Sequence, residues 1–498
     1  MPLADLLGVL PEKDLQGPMP VAVEGLTEDS RRVAAGHCFV AVRGLRVDGR
    51  RFIPQAVERG ATAVVAEPPD PLAGQAVGRI LVPDSRWALP RLAGAYHGHP
   101  SRALAMVGVT GTSGKTTTTY LIEALLQARG LPTGLIGTIQ YVVRGRARDA
   151  SQTTPDAVTL QALLAEMVAA GVGGVAMEVS SHALEQRRVD GVAFDVAVFT
   201  NLSQDHLDLH GTMERYAEAK ARLFFELLPE SGKAGVTAVV NADDPRGAAW
   251  APRLRGRVLT FGQGAGHAVR VARAESSLEG IRLEAATPVG PVRIASPLIG
   301  DYNVMNLLAA VATGVALGLE ADPIGQALAG VPPVPGRFER LDAGQPFLVI
   351  VDYAHKPDAL RRVLANARRL TRGRVGVVFG CGGDRDRGKR PIMGGIAAEL
   401  ADRVWLTSDN PRSEDPQAII AEISVGVVPP PREGYTSHPD RHEAIRSALH
   451  WARAGDTVVI AGKGHETYQV VGSRILPFDD RQVARDILHA TRRDSCRP

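Results

Sequence analysis

Apolar and polar positions follow two rhythms along this chain, and they place most of its elements. Short apolar runs at 38–42 and 61–66 read as strands, with a helical segment at 52–59 between them. The run 103–109 is apolar and short, which marks a buried strand. After it, Leu121, Leu125 and Leu126 share one face of a helix predicted at 116–129, which Gly130 is placed to end. Further buried strands are predicted at 172–179, 192–200 and 236–241, with a helix at 214–228. Between 258 and 297 the runs shorten and alternate, as in Val269-Arg270-Val271-Ala272-Arg273, which predicts antiparallel strands. A helix is expected at 303–319. Parallel-sheet candidates follow at 347–351, 375–379, 404–407 and 457–461.

Such alternation of strands and helices predicts an α/β fold. At 498 residues the chain is too long for one core. Ala95-Tyr96-His97-Gly98-His99-Pro100 reads as one linker, and Val331-Pro332-Pro333-Val334-Pro335-Gly336-Arg337 as a second. Three domains are therefore expected, at 1–97, 98–333 and 334–498.

Composition narrows the class. Hydrophobic content of 45% and charged content of 22% are ordinary for a globular protein. A net charge of +3 argues against a broad nucleic-acid surface. Cys38, Cys381 and Cys496 lie too far apart for a disulfide framework or a Cys-x-x-Cys metal site, so a reducing compartment is expected. The first ten residues lack the basic start and apolar core of a signal peptide. The longest apolar stretch, 307–319, is too short to span a membrane. A cytoplasmic location is expected.

The most telling stretch is Gly111-Thr112-Ser113-Gly114-Lys115-Thr116-Thr117, set between a strand and a helix. Backbone N–H groups at such a turn point at an anion, and glycine allows close approach. Lys115 is expected to reach the terminal phosphates of a nucleotide, and the Thr116 hydroxyl to face Mg²⁺. The position five before Gly114 is Val109, so the match is to a variant of the usual phosphate loop. Glu178 ends an apolar strand beside Ser180, Ser181 and His182 and is a second candidate Mg²⁺ ligand. His206 lies in a polar run after the next strand. Periodicity alone reads Lys220 as an exposed helix lysine. The loop Thr27-Glu28-Asp29-Ser30-Arg31-Arg32 alone reads as a surface turn.

Three polar clusters follow strands of the last domain. The first, from Gly380 to Arg390, carries Arg385, Arg387, Lys389 and Arg390 and could hold a carboxylate or phosphate. Asp409-Asn410-Pro411-Arg412 combines an anion receptor, Arg412, with an acceptor for an ammonium group, Asp409. The third is Gly462-Lys463-Gly464-His465-Glu466. Doubly wound sheets gather their sites at such strand ends. The residues thus predict an ATP-dependent enzyme with a zwitterionic second substrate.

Over essentially its full length the sequence resembles the Mur ligase family of cell-wall synthesis. Besides the phosphate loop, the resemblance rests on Glu178-Val179-Ser180-Ser181-His182, Thr200-Asn201-Leu202-Ser203-Gln204-Asp205-His206-Leu207-Asp208, Tyr302-Asn303-Val304-Met305-Asn306, Gly336-Arg337-Phe338-Glu339 and Asp352-Tyr353-Ala354-His355. It implies a UDP-binding first domain, a central P-loop ATPase-type domain with a mostly parallel sheet, and a Rossmann-like amino-acid domain. The implied reaction activates a D-glutamate carboxylate of UDP-N-acetylmuramoyl-L-alanyl-D-glutamate as an acyl phosphate, at the expense of ATP. The amine of a further amino acid then attacks it. Asp409-Asn410-Pro411-Arg412 resembles the branch whose amino acid is meso-2,6-diaminopimelate; lysine or ornithine addition and folylpolyglutamate synthesis are the alternatives.

The resemblance also implies roles. Lys115, His206 and Lys220 are the catalytic group. Lys220 is expected as an N6-carboxylysine that helps hold Mg²⁺ with Thr116, Glu178 and His206. Asn306, Arg337 and Asp352 are expected on the adenosine side of ATP. Glu28, Ser30, Leu45, Arg46, Val47, Gln152, Thr153, Thr154, Ser180, Gln186 and Arg188 match the UDP-muramoyl peptide site. Arg385, Asp409, Asn410, Pro411, Arg412, Gly462 and Glu466 match the diaminopimelate site. Ser113, Gln152 and Lys356 depart from the residues commonest in the family at those places. Small-molecule substrates, no nucleic acid, no membrane span and a monomer are expected.

Overall fold

A computed structural model describes residues 1–44, 47–69 and 77–495. The chain divides into two compact units. One holds Met1–Arg270, Thr287–Gly290 and Leu308–Ile324; the other holds Val271–Ala286, Pro291–Leu307 and Gly325–Pro498. The architecture is α/β throughout, with large, mostly parallel sheets.

In the first unit, a five-stranded sheet is built from β1 (Asp14–Gln16), β2 (Gly25–Thr27), β3 (His37–Val40), β4 (Ala63–Ala66) and β5 (Gly78–Leu81), in the order β1-β5-β4-β3-β2. The next sheet holds β6 (Ala105–Thr110), β7 (Thr133–Ile136), β8 (Gln140–Val143), β9 (Arg146–Asp149), β10 (Gly174–Glu178), β11 (Val196–Phe199), β12 (Thr237–Asn241) and β13 (Arg257–Gly262). Its order is β13-β12-β11-β6-β10-β7-β8-β9. Every residue of β10, β11 and β12 is buried, as strands covered on both faces must be. Register then sets the site. Glu178 pairs level with Val109, and Phe199 level with Thr110, so Glu178 and Thr200 emerge on either side of the loop that follows β6.

Two expectations need correction in this unit. The stretch after 258 does not open with antiparallel strands. β13 pairs parallel with β12, and β14 (Val269–Ser277) pairs parallel with β13 through Val269 and Arg270. The helix Pro245–Trp250 lies between β12 and β13 and allows the crossover that parallel pairing requires. Antiparallel pairing holds for β15 (Gly280–Ala286) with β16 (Val292–Ser296), in the second unit. The linker expected at 95–100 is only partly one, because the helix Ser85–Tyr96 runs into it.

The second unit carries a six-stranded sheet of β17 (Glu339–Leu341), β18 (Leu348–Asp352), β19 (Val375–Phe379), β20 (Arg403–Thr407), β21 (Tyr435–His438) and β22 (Thr457–Ala461), in the order β17-β18-β22-β19-β20-β21. β18, β22, β19 and β20 run parallel, so their carboxyl ends lie along one edge. A hairpin of β23 (Tyr468–Val471) and β24 (Arg474–Pro477) follows. Valines and isoleucines of β18, β19 and β22 are at most 0% exposed, each worth about 1.5–3 kcal/mol in burial. Among the described residues no helix is long and apolar enough to cross a membrane.

Candidate active site

The loop between β6 and the helix Lys115–Ala128 is held open by two glycines. Gly111 has φ 151°, and a Cβ there would lie 1.9 Å from Thr200 Oγ1. Gly114, at φ 87°, starts the helix. Asn201 clamps the turn: its Oδ1 accepts from Ser113 N at 3.0 Å, and its Nδ2 donates to Ser113 O at 3.0 Å. Thr112 Oγ1 reaches Ser203 O and Tyr216 Oη, each at 3.1 Å. Thr116 and Thr117 are buried at the helix start.

Two lysines meet here. Lys115 Nζ donates to Gly111 O at 2.9 Å and to Thr112 O at 3.0 Å. Lys220 Nζ donates to the same Gly111 O at 2.9 Å and sits 4.5 Å from the centre of the Tyr216 ring. Lys220 is 1% exposed, which corrects its reading as a surface lysine. Tyr216, Ala217, Ala219 and Lys220 are the buried residues of the helix Met213–Arg222, so Lys220 shares the inward face with Tyr216, four positions before it. His206, at φ 52°, lies 3.3 Å from Asp205 Oδ2 through Nε2, and its ring meets that of His182 edge-on at 4.6 Å.

Glu178 is buried and anchored. Its carboxylate accepts from Thr138 N at 2.8 Å and from Thr138 Oγ1 at 3.0 Å. Thr153 Oγ1 is 3.1 Å from Thr138 Oγ1. Thr154 Oγ1 donates to Glu178 O at 2.8 Å and accepts from Ser180 N at 3.1 Å. Among the described residues no three His, Cys, Asp or Glu side chains converge as a metal cage. A hydroxyl and a carboxylate at a phosphate loop are the hard oxygen donors that suit Mg²⁺, which keeps waters and phosphate oxygens as its other ligands. Thr116 and Glu178 fit that group.

Arg188 organises the next patch. It donates to Gln186 Oε1 at 2.9 and 2.5 Å, to Thr154 O at 3.0 Å, and to Gln152 Oε1. Glu28 comes to it from the first sheet. Burial, with Asp156 and Asp29 nearby, pushes the Glu28 carboxyl up to about 7, against the pull of Arg188. Ser30 is drawn instead to Gln55 Oε1, at 2.6 Å. Val47 is exposed, and Leu45 and Arg46 lie outside the described residues, as does Cys496.

In the second unit, Asp352 ends β18 and accepts from Phe338 N at 2.7 Å. Burial raises its carboxyl to about 6, although Arg337 opposes the shift. Arg337 lies 4.8 Å over the Tyr353 ring. Asn306 Nδ2 donates to Asn303 Oδ1 at 2.8 Å.

At the carboxyl ends of β22 and β20 the clusters interlock. Asn410 Nδ2 donates to Glu466 Oε2 at 2.9 Å, and Asn410 Oδ1 accepts from Val470 N at 2.9 Å. Asp409 Oδ1 accepts from Asn410 N at 2.7 Å, while its buried Oδ2 has no hydrogen bond among the described residues. That oxygen faces Gly462, where a Cβ would lie 2.7 Å away. Arg412, at φ 52°, donates to Gly383 O at 2.8 Å, and its own N–H donates to Val470 O at 3.0 Å. Pro411 is buried beside it.

The cationic loop after β19 is spent differently from the sequence expectation. Arg390 is fully buried on Glu414 and Glu422, and Arg387 also pairs with Glu422. Lys389 donates to His355 O at 2.8 Å. Arg385 is exposed and donates to Asp384 O at 3.1 Å, with no ion pair among the described residues. Pattern reading also passes over Thr138, Tyr216 and Arg441. Arg441 is fully buried on Asp480, at 2.7 Å, and donates to Ser408 O and Ala461 O, the carbonyls just before Asp409 and Gly462. Nothing in local spacing marks these three, because each acts on a partner far away in sequence.

A glycine-rich phosphate loop beside a buried carboxylate defines a nucleotide-dependent enzyme, and comparison identifies its class. Residues 22–97, 109–314 and 336–464 match the families described as Mur ligase family, catalytic domain; Mur ligase middle domain; and Mur ligase, glutamate ligase domain. The chain belongs to the Mur ligase family, ATP-dependent ligases that form amide bonds. Its relatives include the UDP-N-acetylmuramoyl-L-alanyl-D-glutamate–2,6-diaminopimelate ligase of Geobacter metallireducens, 46% identical over 497 residues and covering 97% of each chain. The protein of the same name from Gloeobacter violaceus is 49% identical over 478 residues, 95% of each chain. A solved structure of a ligase so named superposes with a TM-score of 0.68 at 34% identity, covering 98% of this chain and 99% of the other.

Proposed function

We propose that this chain joins meso-2,6-diaminopimelate to UDP-N-acetylmuramoyl-L-alanyl-D-glutamate with ATP, in peptidoglycan synthesis. One observation carries the choice of amino acid. Asp409-Asn410-Pro411-Arg412 follows β20 with a guanidinium and a carboxylate oxygen that has no hydrogen bond among the described residues, next to Glu466. Those groups suit a molecule carrying both carboxylates and ammonium groups, and a guanidinium pairs well with a carboxylate that lysine lacks. Near full-length relatives with that printed activity support the same reading.

Chemically, a carboxylate oxygen of D-glutamate attacks the γ-phosphorus and ADP leaves. The amine of the incoming amino acid then attacks the acyl carbon, and phosphate leaves with the amide formed. Two anions must meet in the first step, so cations and oriented N–H groups do the main work. Lys115 and the helix N-terminus, with Gly111, Thr112, Ser113, Gly114, Thr116 and Thr117, take the phosphates. Mg²⁺, when bound, neutralises phosphate charge, and Thr116, Glu178, His206 and a carboxylated Lys220 would hold it. The N–H of a carboxylated Lys220 can still donate to Gly111 O. Asn306, Arg337 and Asp352 are assigned to adenosine. Glu28, Ser30, Val47, Gln152, Thr153, Thr154, Ser180, Gln186 and Arg188 are assigned to the UDP-muramoyl peptide, with Leu45 and Arg46. Arg385, Asp409, Asn410, Pro411, Arg412, Gly462 and Glu466 are assigned to diaminopimelate. Domain limits at 97/98 and 333/334, a monomer and a cytoplasmic location belong to the same proposal.

Phosphate release with ATP, the UDP-muramoyl dipeptide and each candidate amino acid tests it. Release with diaminopimelate alone is expected. Release with lysine or ornithine but not diaminopimelate overturns the specificity. No release with any acceptor overturns the ligase reading.

A further inference from the structure

Lys463 is the fully buried cation of the β22 cluster, at 0% exposure. Its Nζ donates to Glu466 Oε2 at 2.9 Å and to Asn410 Oδ1 at 3.2 Å, and lies 5.6 Å from the centre of the Tyr468 ring. Burying an ammonium costs heavily unless partners surround it, so this placement needs all of these contacts. A side chain so enclosed is in no position to touch a substrate. It does determine how two neighbours face.

Consider the Asn410 amide. Its oxygen accepts from two donors, Lys463 Nζ and Val470 N, and neither can be served by an NH₂ group. The amide is therefore locked with Nδ2 towards Glu466 Oε2. That carboxylate oxygen now holds two donors, Asn410 Nδ2 and Lys463 Nζ. Glu466 Oε1 has no hydrogen bond among the described residues and remains for a ligand cation. Lys463 also offsets charge in a cluster where Glu466 and Asp409 both act on Arg441 and Tyr468.

We infer that Lys463 is a positioning residue for the amino-acid acceptor: it fixes the Asn410 amide and holds Glu466 so that one carboxylate oxygen is presented to the acceptor's ammonium group. This rests on reading the cluster as the amino-acid site.

The test uses the full chain and initial rates of phosphate release. The wild type is first assayed with meso-diaminopimelate and with L-lysine, which decides the acceptor separately. Whichever it accepts is then varied against Lys463→Met and Lys463→Gln. Hydrogen bonds to charged groups set the scale, so KM for the acceptor should rise about tenfold or more in Lys463→Met, with KM for ATP and for the UDP-muramoyl dipeptide unchanged. Lys463→Gln keeps donors and should recover part of the loss. In a Glu466→Gln background, Lys463→Met should add little further, because the two act as one unit. Equal rises in all three KM values, an unchanged acceptor KM, or full additivity would overturn the proposal. So would loss of folded circular dichroism in both single variants, which would assign Lys463 to the core alone.

Discussion

Lys115 and Lys220 donate to one carbonyl oxygen, that of Gly111, each at 2.9 Å. Two ammonium groups on one acceptor repel each other, and the site gains if one of them becomes an anion. Under the proposed function, carboxylation of Lys220 would do this and would leave Lys115 as the cation for phosphate. Lys220→Ala should abolish turnover, and added short carboxylates such as formate or acetate should partly restore it. Phosphate release with and without the added acid is the measurement. Full activity in the variant would remove Lys220 from the chemistry.

Gly111 sets the backbone of the same site. Its φ of 151° and the 1.9 Å approach of Thr200 Oγ1 to a Cβ leave no room for alanine. Overpacking of this kind costs about 1–3 kcal/mol, and the loop must shift to relieve it. Gly111→Ala should melt lower than the wild type and lose ATP affinity about tenfold or more, read by nucleotide titration. An unchanged affinity would show that the loop absorbs the extra atom.

Glu28 gives the stability a pH dependence. Its carboxyl rises from an ordinary 4.5 to about 7, chiefly through burial, then through Asp156. The folded state thus holds more protons than the unfolded one between these values, so stability falls as pH rises through this window. The full shift is worth up to roughly 3 kcal/mol. Melting curves from pH 4.5 to 8 should show Glu28→Gln losing less stability than the wild type towards the alkaline end. Parallel curves would place the carboxyl in a more solvated setting.

Arg441 and Asp480 form an ion pair that is 0% exposed on both sides. Removing one partner strands the other, which costs about 3–5 kcal/mol. Asp480→Ala should therefore shift the denaturation midpoint strongly. Because Arg441 also holds Ser408 O and Ala461 O, the variant should raise KM for the amino acid as well. A stable variant with a wild-type KM would show that the pair is dispensable.

Local spacing passed over the buried strand β7. It was enough for the phosphate loop, for the buried strands β6, β10, β11, β12, β18, β19, β20 and β22, and for the polar clusters that follow them. Each is carried by residues adjacent in sequence, where apolar runs, glycines and Lys-Thr pairs act through the backbone itself. Tertiary structure alone decided the rest. Lys220 lies under Gly111, 109 positions away, and Glu28 meets Asp156 and Arg188 from a different sheet. Asn410 is locked by Lys463 and Val470 across the edge of the last sheet. The parallel direction of β13 depends on the crossover before it, not on its own alternation. A side chain's charge and exposure are set by whatever packs against it, and those partners are chosen by the fold rather than by neighbouring residues.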